Sequence, residues 1–119
     1  MLFAVIREQG SGWAVSHAMR EQQYWPEHVS YVNSLEDEGF LVLAGPIGES
    51  ESDADPTAPV GEDRVYRALL IVRAARAADV SERLDDDPWT RSRVLETKTI
   101  HRWEPLGGEL SGTVSDAAP

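Results

Sequence analysis

The strand-length runs of this chain are apolar at both parities, and few folds accommodate that. In residues 2–7, Leu2, Ala4 and Ile6 share one face while Phe3 and Val5 share the other. Such a run marks a strand covered on both sides. Residues 40–44, Phe40-Leu41-Val42-Leu43-Ala44, repeat the pattern and are ended by Gly45-Pro46. Residues 65–74 set Tyr66, Ala68, Leu70 and Val72 on one face, with Val65, Leu69 and Ile71 on the other. A fourth strand is expected over 93–103, stopped by Pro105 and the pair Gly107-Gly108. Two helical stretches, 26–38 and 75–86, complete the order β-α-β-β-α-β. That order predicts an α+β, ferredoxin-like fold: one antiparallel sheet with both helices on one face. The other face then lacks a cover, and a second copy of the same sheet supplies one, so a homodimer is expected.

Composition bounds the rest. At 119 residues the chain suits one domain with one core, and it holds no cysteine for disulfide or thiolate chemistry. The opening residues lack the basic start and the apolar length of a signal peptide, and no run reaches membrane-spanning length. A cytoplasmic protein with no membrane partner is the expectation. A net charge of −10 argues against a nucleic-acid partner, which needs a basic face. Residues 48–64 form an acidic excursion whose composition suits a mobile surface loop. Its carboxylates lack the ligand spacing of a metal site, and His17, His28 and His101 are too scattered for one. There is no phosphate-binding glycine motif either, so neither cofactor nor metal is expected. Residues 107–119 are small and polar and are expected to be disordered.

The first helix carries the main candidate. Pro26 suits a first helical position, Gly39 suits a left-handed C-terminal cap, and Ser16 is placed to cap a short turn through Met19 to Gln22. At about 100° per residue, Trp25, Val29, Val32 and Leu35 form one stripe, and His28 falls inside it. An inward imidazole is either a core histidine bonded to a carbonyl or a base whose tautomer a neighbour fixes. If the second helix stays helical to its end, Asp87 shares the buried side with Val80 and Leu84, whereas Asp85 and Asp86 do not. His28 and Asp87 can then meet between the two helices. Asp87 can equally bond backbone amides ahead of Pro88-Trp89. Trp25 and Trp89 suit core filling or the walls of a small apolar pocket. Arg20 is either an anion anchor at the mouth of that pocket or an exposed surface arginine.

His28 in the first helix, Leu35-Glu36-Asp37-Glu38-Gly39-Phe40, Ala44-Gly45-Pro46 and Asp87-Pro88-Trp89 resemble the YciI-like (YCII-related) family, over roughly residues 1–106. The acidic stretch and the tail depart from the family pattern. The resemblance implies a dimeric α/β barrel with a His–Asp pair in a pocket, here His28 and Asp87. Trp25, Trp89, Gly45, Pro46 and Arg20 are the candidate pocket residues around that pair. The resemblance also implies a cofactor-free enzyme acting on small cyclic or aromatic compounds by proton transfer, through isomerisation or elimination, including dehalogenation. The alternative is a non-catalytic homodimer that binds a small ligand or serves an accessory role.

Overall fold

The computed structural model describes residues 1–114. Four strands make one antiparallel sheet: β1 (Leu2–Gln9), β2 (Leu41–Ile47), β3 (Arg67–Arg73) and β4 (Leu95–Trp103), in the order β2-β3-β1-β4. Helix α1 (Trp25–Asp37) joins β1 to β2. Helices α2 (Ala77–Asp85) and α3 (Pro88–Arg91) join β3 to β4. This is the ferredoxin-like arrangement the sequence predicts. Among the described residues no helix is long and apolar enough to cross a membrane.

Phe3 and Val5 of β1, with Ala68, Leu70 and Val72 of β3, meet Leu35, Val80, Leu84 and Trp89 in the core. Register with these strands turns Leu43, Ile47 and Leu69 to the opposite face, where they stand exposed, and Trp103 joins them opposite Leu2. The predicted α1 stripe holds: Leu35 is buried and Trp25, His28, Val29 and Val32 are half-buried, while Glu27, Ser30 and Asn33 face out. Gly39 takes φ +78° after the helix, as a left-handed cap requires.

Several local expectations are corrected. Gly45-Pro46 does not end β2, which runs on to Ile47. β2 is an edge strand, where a missing N–H can face outwards without breaking the ladder. Ser16 does not cap the turn over Met19–Glu21. It takes φ +74°, and the Glu21 carboxylate instead accepts from the Ala18 N–H at 2.8 Å. The excursion 48–64 is tied down where mobility was expected. Val60 is buried, its carbonyl accepts from Ser16 N–H at 3.3 Å, and Thr57 O accepts from Met19 N–H at 3.1 Å. Within the tail, Ser111–Val114 forms one helical turn, and residues 115–119 lie outside the described residues.

A bulge in β4 decides which residues face the helices. Pairing runs Ile6 to Thr99 and then Arg7 to Thr97, leaving Lys98 as the extra residue. Leu95 and Ile100, an odd number of positions apart, therefore both reach the core. The bulge sits beside Arg7. At the end of β1, Gly10 and Gly12 press against the turn that follows α3: an added Cβ would lie 2.3 Å from Arg93 O at Gly10 and 2.4 Å from Ser92 O at Gly12. Gly12→Ala should therefore cost about 1–3 kcal/mol, read by urea unfolding. An unchanged midpoint would show that the turn yields freely.

Candidate active site

Asp87 does not sit on the α2 helical face. It is the N-cap of α3, with φ −63° and ψ 129°, and its Oδ1 accepts from the Trp89 amide at 2.9 Å. Pro88 fixes the first helical position behind it. Leaving the helix aims the carboxylate across to α1 rather than ending its contacts there. His28 Nδ1 lies 2.9 Å from both Asp87 oxygens. The two roles that sequence reasoning set against each other, backbone cap and histidine partner, are held by one side chain.

A third group completes the arrangement. Arg7, the last inward residue of β1 before Gln9, is 2% exposed and donates from a terminal nitrogen to Asp87 Oδ2 at 2.9 Å. Its other terminal nitrogen donates to Thr90 Oγ1, whose hydroxyl donates to Leu84 O at 2.6 Å. Asp87 is therefore ringed by the Trp89 amide, His28 and Arg7. Burial pushes its carboxyl up. The hydrogen bond and charge of His28, the Trp89 amide and the Arg7 charge outweigh that and hold it below the usual carboxylate range.

The imidazole is fixed on its faces as well as its edge. Trp89 stacks on His28 with ring centroids 3.8 Å apart and planes 7° apart, and Trp25 closes over both at 5.5 Å from Trp89 and 5.9 Å from His28. Trp89 is itself held by Nε1 donating to Gln23 O at 2.8 Å. An ionised carboxylate can only accept, so Nδ1 carries a proton towards Asp87; in the neutral tautomer that this bond selects, Nε2 is the acceptor.

His28, Asp87, Trp25 and Trp89 all line one apolar cavity of about 210 Å³ between α1 and the sheet. Gly45 and Pro46 line it too, because β2 continues past Ala44 along its wall. Arg20 does not: it is exposed and absent from the lining. Arg7, Met19 and Tyr66, which sequence reasoning passed over, do line it. Arg7 had one legible signal, a charge at the same parity as Phe3 and Val5, on a face that must be covered. Among the described residues no three His, Asp or Glu side chains converge as metal ligands would. An apolar cavity of about 150 Å³ accepts benzene, so this one has room for a ring with small substituents.

Comparison with protein-family models and with curated proteins finds no match to this chain. Its fold does have a solved counterpart. The likeness is to a dehydrochlorinase. That structure is 5-chloro-2-hydroxyhydroquinone dehydrochlorinase (TftG) from Burkholderia phenoliruptrix AC1100, in complex with 2,5-dihydroxybenzoquinone. The match has a TM-score of 0.60 and 22% identity, and covers 87% of this chain and 93% of that one. At that identity it establishes the shared fold.

Because the folded state holds the Asp87 carboxyl low, its contribution to stability is fully present above its unfolded value of about 4. It is lost as pH falls through the lowered folded value. Asp87→Asn should remove that acid-side loss and, by leaving the buried Arg7 unpaired, cost about 3 kcal/mol near neutrality. Urea unfolding from pH 7 to 3 measures both. A variant as stable as the parent, with the same acid limb, would mean that Asp87 is not a stabilising ion partner.

Proposed function

We propose that this protein is a cofactor-free enzyme of the YciI-like kind that moves a proton on a small cyclic or aromatic compound, with His28 as the base. The observation that carries the reading is the His28–Asp87 hydrogen bond of 2.9 Å at the wall of an apolar cavity. Nε2 takes a proton from a phenolic O–H or an acidic ring C–H. In an elimination from a halogenated polyphenol the first proton is passed to the halogen-bearing ring carbon, giving the keto tautomer; a second phenolic O–H then yields its proton to Nε2, its electron pair forms a second C=O through the ring, and the halide leaves the now tetrahedral carbon with its own pair. Asp87 steadies the imidazolium, which afterwards returns its proton to water, so hydrogen halide is the net loss. Arg7 acts through Asp87 as a positioning residue. Its fixed charge balances the carboxylate, so Asp87 does not depend on a protonated His28 for charge neutrality. The dehydrochlorinase that shares the fold acts, by its name, on a chlorinated hydroxyhydroquinone, which makes halogenated polyphenols the first compounds to try.

A second reading rests on the same ring of contacts. With Arg7 paired to Asp87 in the interior, the network is already a structural anchor, and a ligand could sit in the cavity unchanged. Halide release from a panel of chlorinated hydroxyhydroquinones separates the two. The enzyme reading expects turnover that falls by about 100-fold or more in His28→Ala, with the fold intact by circular dichroism. Ligand-induced stabilisation without product, or equal turnover in the variant, would leave only the binding module.

The assembly proposed with this activity is a homodimer packed sheet to sheet. Supporting it are the exposed Leu43, Ile47, Leu69 and Trp103 on the helix-free face and, along the same face, the Arg67–Glu8 ion pair at 3.0 Å. Leu69→Glu should halve the mass found by light scattering. A monomeric parent, or a variant that stays dimeric, would overturn it.

A further inference from the structure

One polar group in the cavity wall has no task in the proton transfer. Tyr66 lies one residue before β3, is 5% exposed and lines the cavity. It is held rigidly. Its amide donates to Gln9 Oε1 at 2.8 Å, its carbonyl accepts from Gln9 N–H at 3.0 Å, and its ring stacks on Trp13 at 4.4 Å. Its hydroxyl, however, donates only to a thioether, Met19 Sδ, at 2.9 Å. Sulfur of that kind is a weak acceptor, whereas a buried tyrosine hydroxyl ordinarily finds a nitrogen or oxygen. Among the described residues Tyr66 finds neither. Met19 lines the same cavity, so both ends of this weak contact stand at its wall. Burial pushes the phenol up to about 12, against a smaller opposing pull from the Arg20 and Arg7 charges. Tyr66 therefore remains an O–H donor throughout the physiological range.

We propose that Tyr66 is a ligand-binding residue whose hydroxyl leaves Met19 Sδ to donate to an oxygen acceptor, a ring carbonyl or phenolic oxygen, on a compound held in the cavity. This deepens the substrate reading given above and rests on it. The cavity then selects for oxygen at two places on the ring: one edge yields a proton to His28, and another accepts from Tyr66. A monophenol meets only half of that demand, and a plain hydrocarbon none of it. In an otherwise apolar chamber a site built to hydrogen-bond discriminates well against analogues lacking the partner, because its own donor is then left poorly matched.

The test uses pairs that differ only in the acceptor: 2-, 3- and 4-hydroxyacetophenone, each against the ethylphenol of the same substitution pattern. Binding is followed by titration calorimetry on the full chain. At least one hydroxyacetophenone should bind about five- to tenfold more tightly than its ethylphenol, and Tyr66→Phe should erase that preference while leaving ethylphenol affinity unchanged. Met19→Leu, which removes the competing sulfur and keeps the hydroxyl, should raise hydroxyacetophenone affinity alone by about two- to threefold. Binding of neither compound, equal binding within every pair, a preference that survives Tyr66→Phe, or no rise in Met19→Leu would each overturn the assignment. The proton-transfer reading fails differently. A parent protein that shows the preference but releases no product from any halogenated polyphenol loses that reading and keeps Tyr66 as a binding group.

Discussion

One buried carboxylate holds the helical layer to the sheet. Taking Asp87 out of water costs several kcal/mol, and the fold offsets that only by bringing a donor from each of three separate places. Arg7 comes from the first strand, His28 from the first helix, and the Trp89 amide from the turn that Asp87 itself begins. Arg7 is 80 positions away and His28 is 59 positions away. No local segment can satisfy the group, so the carboxylate is content only when the sheet, α1 and the α2–α3 corner are all in place. The β4 bulge beside Arg7 and the glycines packed on the Ser92–Arg93 carbonyls belong to the same arrangement.

The electrostatic order follows from the identities of the three partners. A permanently charged guanidinium balances the carboxylate, an amide caps it, and the imidazole is left to be oriented. Arg7 faces one carboxylate oxygen and His28 both, so Asp87 has a fixed positive charge beside it whichever state the imidazole takes. The tryptophan stacked on His28 keeps water from one face and the cavity presents the other edge to whatever enters. The two halves of the site thus differ in kind: a charged, hydrogen-bonded side behind the imidazole and an apolar chamber with few polar groups before it.

Much of this was legible in the residues. Apolar parity gave three of the four strands, the wheel around Trp25 gave the inward His28, and spacing from Val80 and Leu84 singled out Asp87, though on a helical face it does not occupy. The parts that were not legible share a cause: they depend on register or on tertiary partners. Asp87 reaches His28 from a cap rather than from a helical face, because the chain leaves the helix one residue early. Arg20 lies near His28 in sequence and stands exposed. Arg7 lies far from it and lines the same cavity. Gly45 and Pro46 look like a strand end until the strand is known to be an edge. The acidic stretch reads as unstructured because its anchors, Val60 and Thr57, meet residues from the opposite side of α1 in the sequence.

The concentration of duties in Asp87 has a bearing on how such a protein can diversify. A residue that caps a turn, pairs with an arginine and bonds a histidine cannot be exchanged in one duty without disturbing the others. Change is freer elsewhere along the cavity, where Val32 of α1 and Leu41 and Ala44 of β2 contribute bulk and no hydrogen bond from their side chains. Exchanges of size there reshape the cavity and leave the hydrogen bonds of Asp87 untouched. The architecture therefore divides the cavity into a part fixed by hydrogen bonds and a part set by bulk alone, and both meet in one small space.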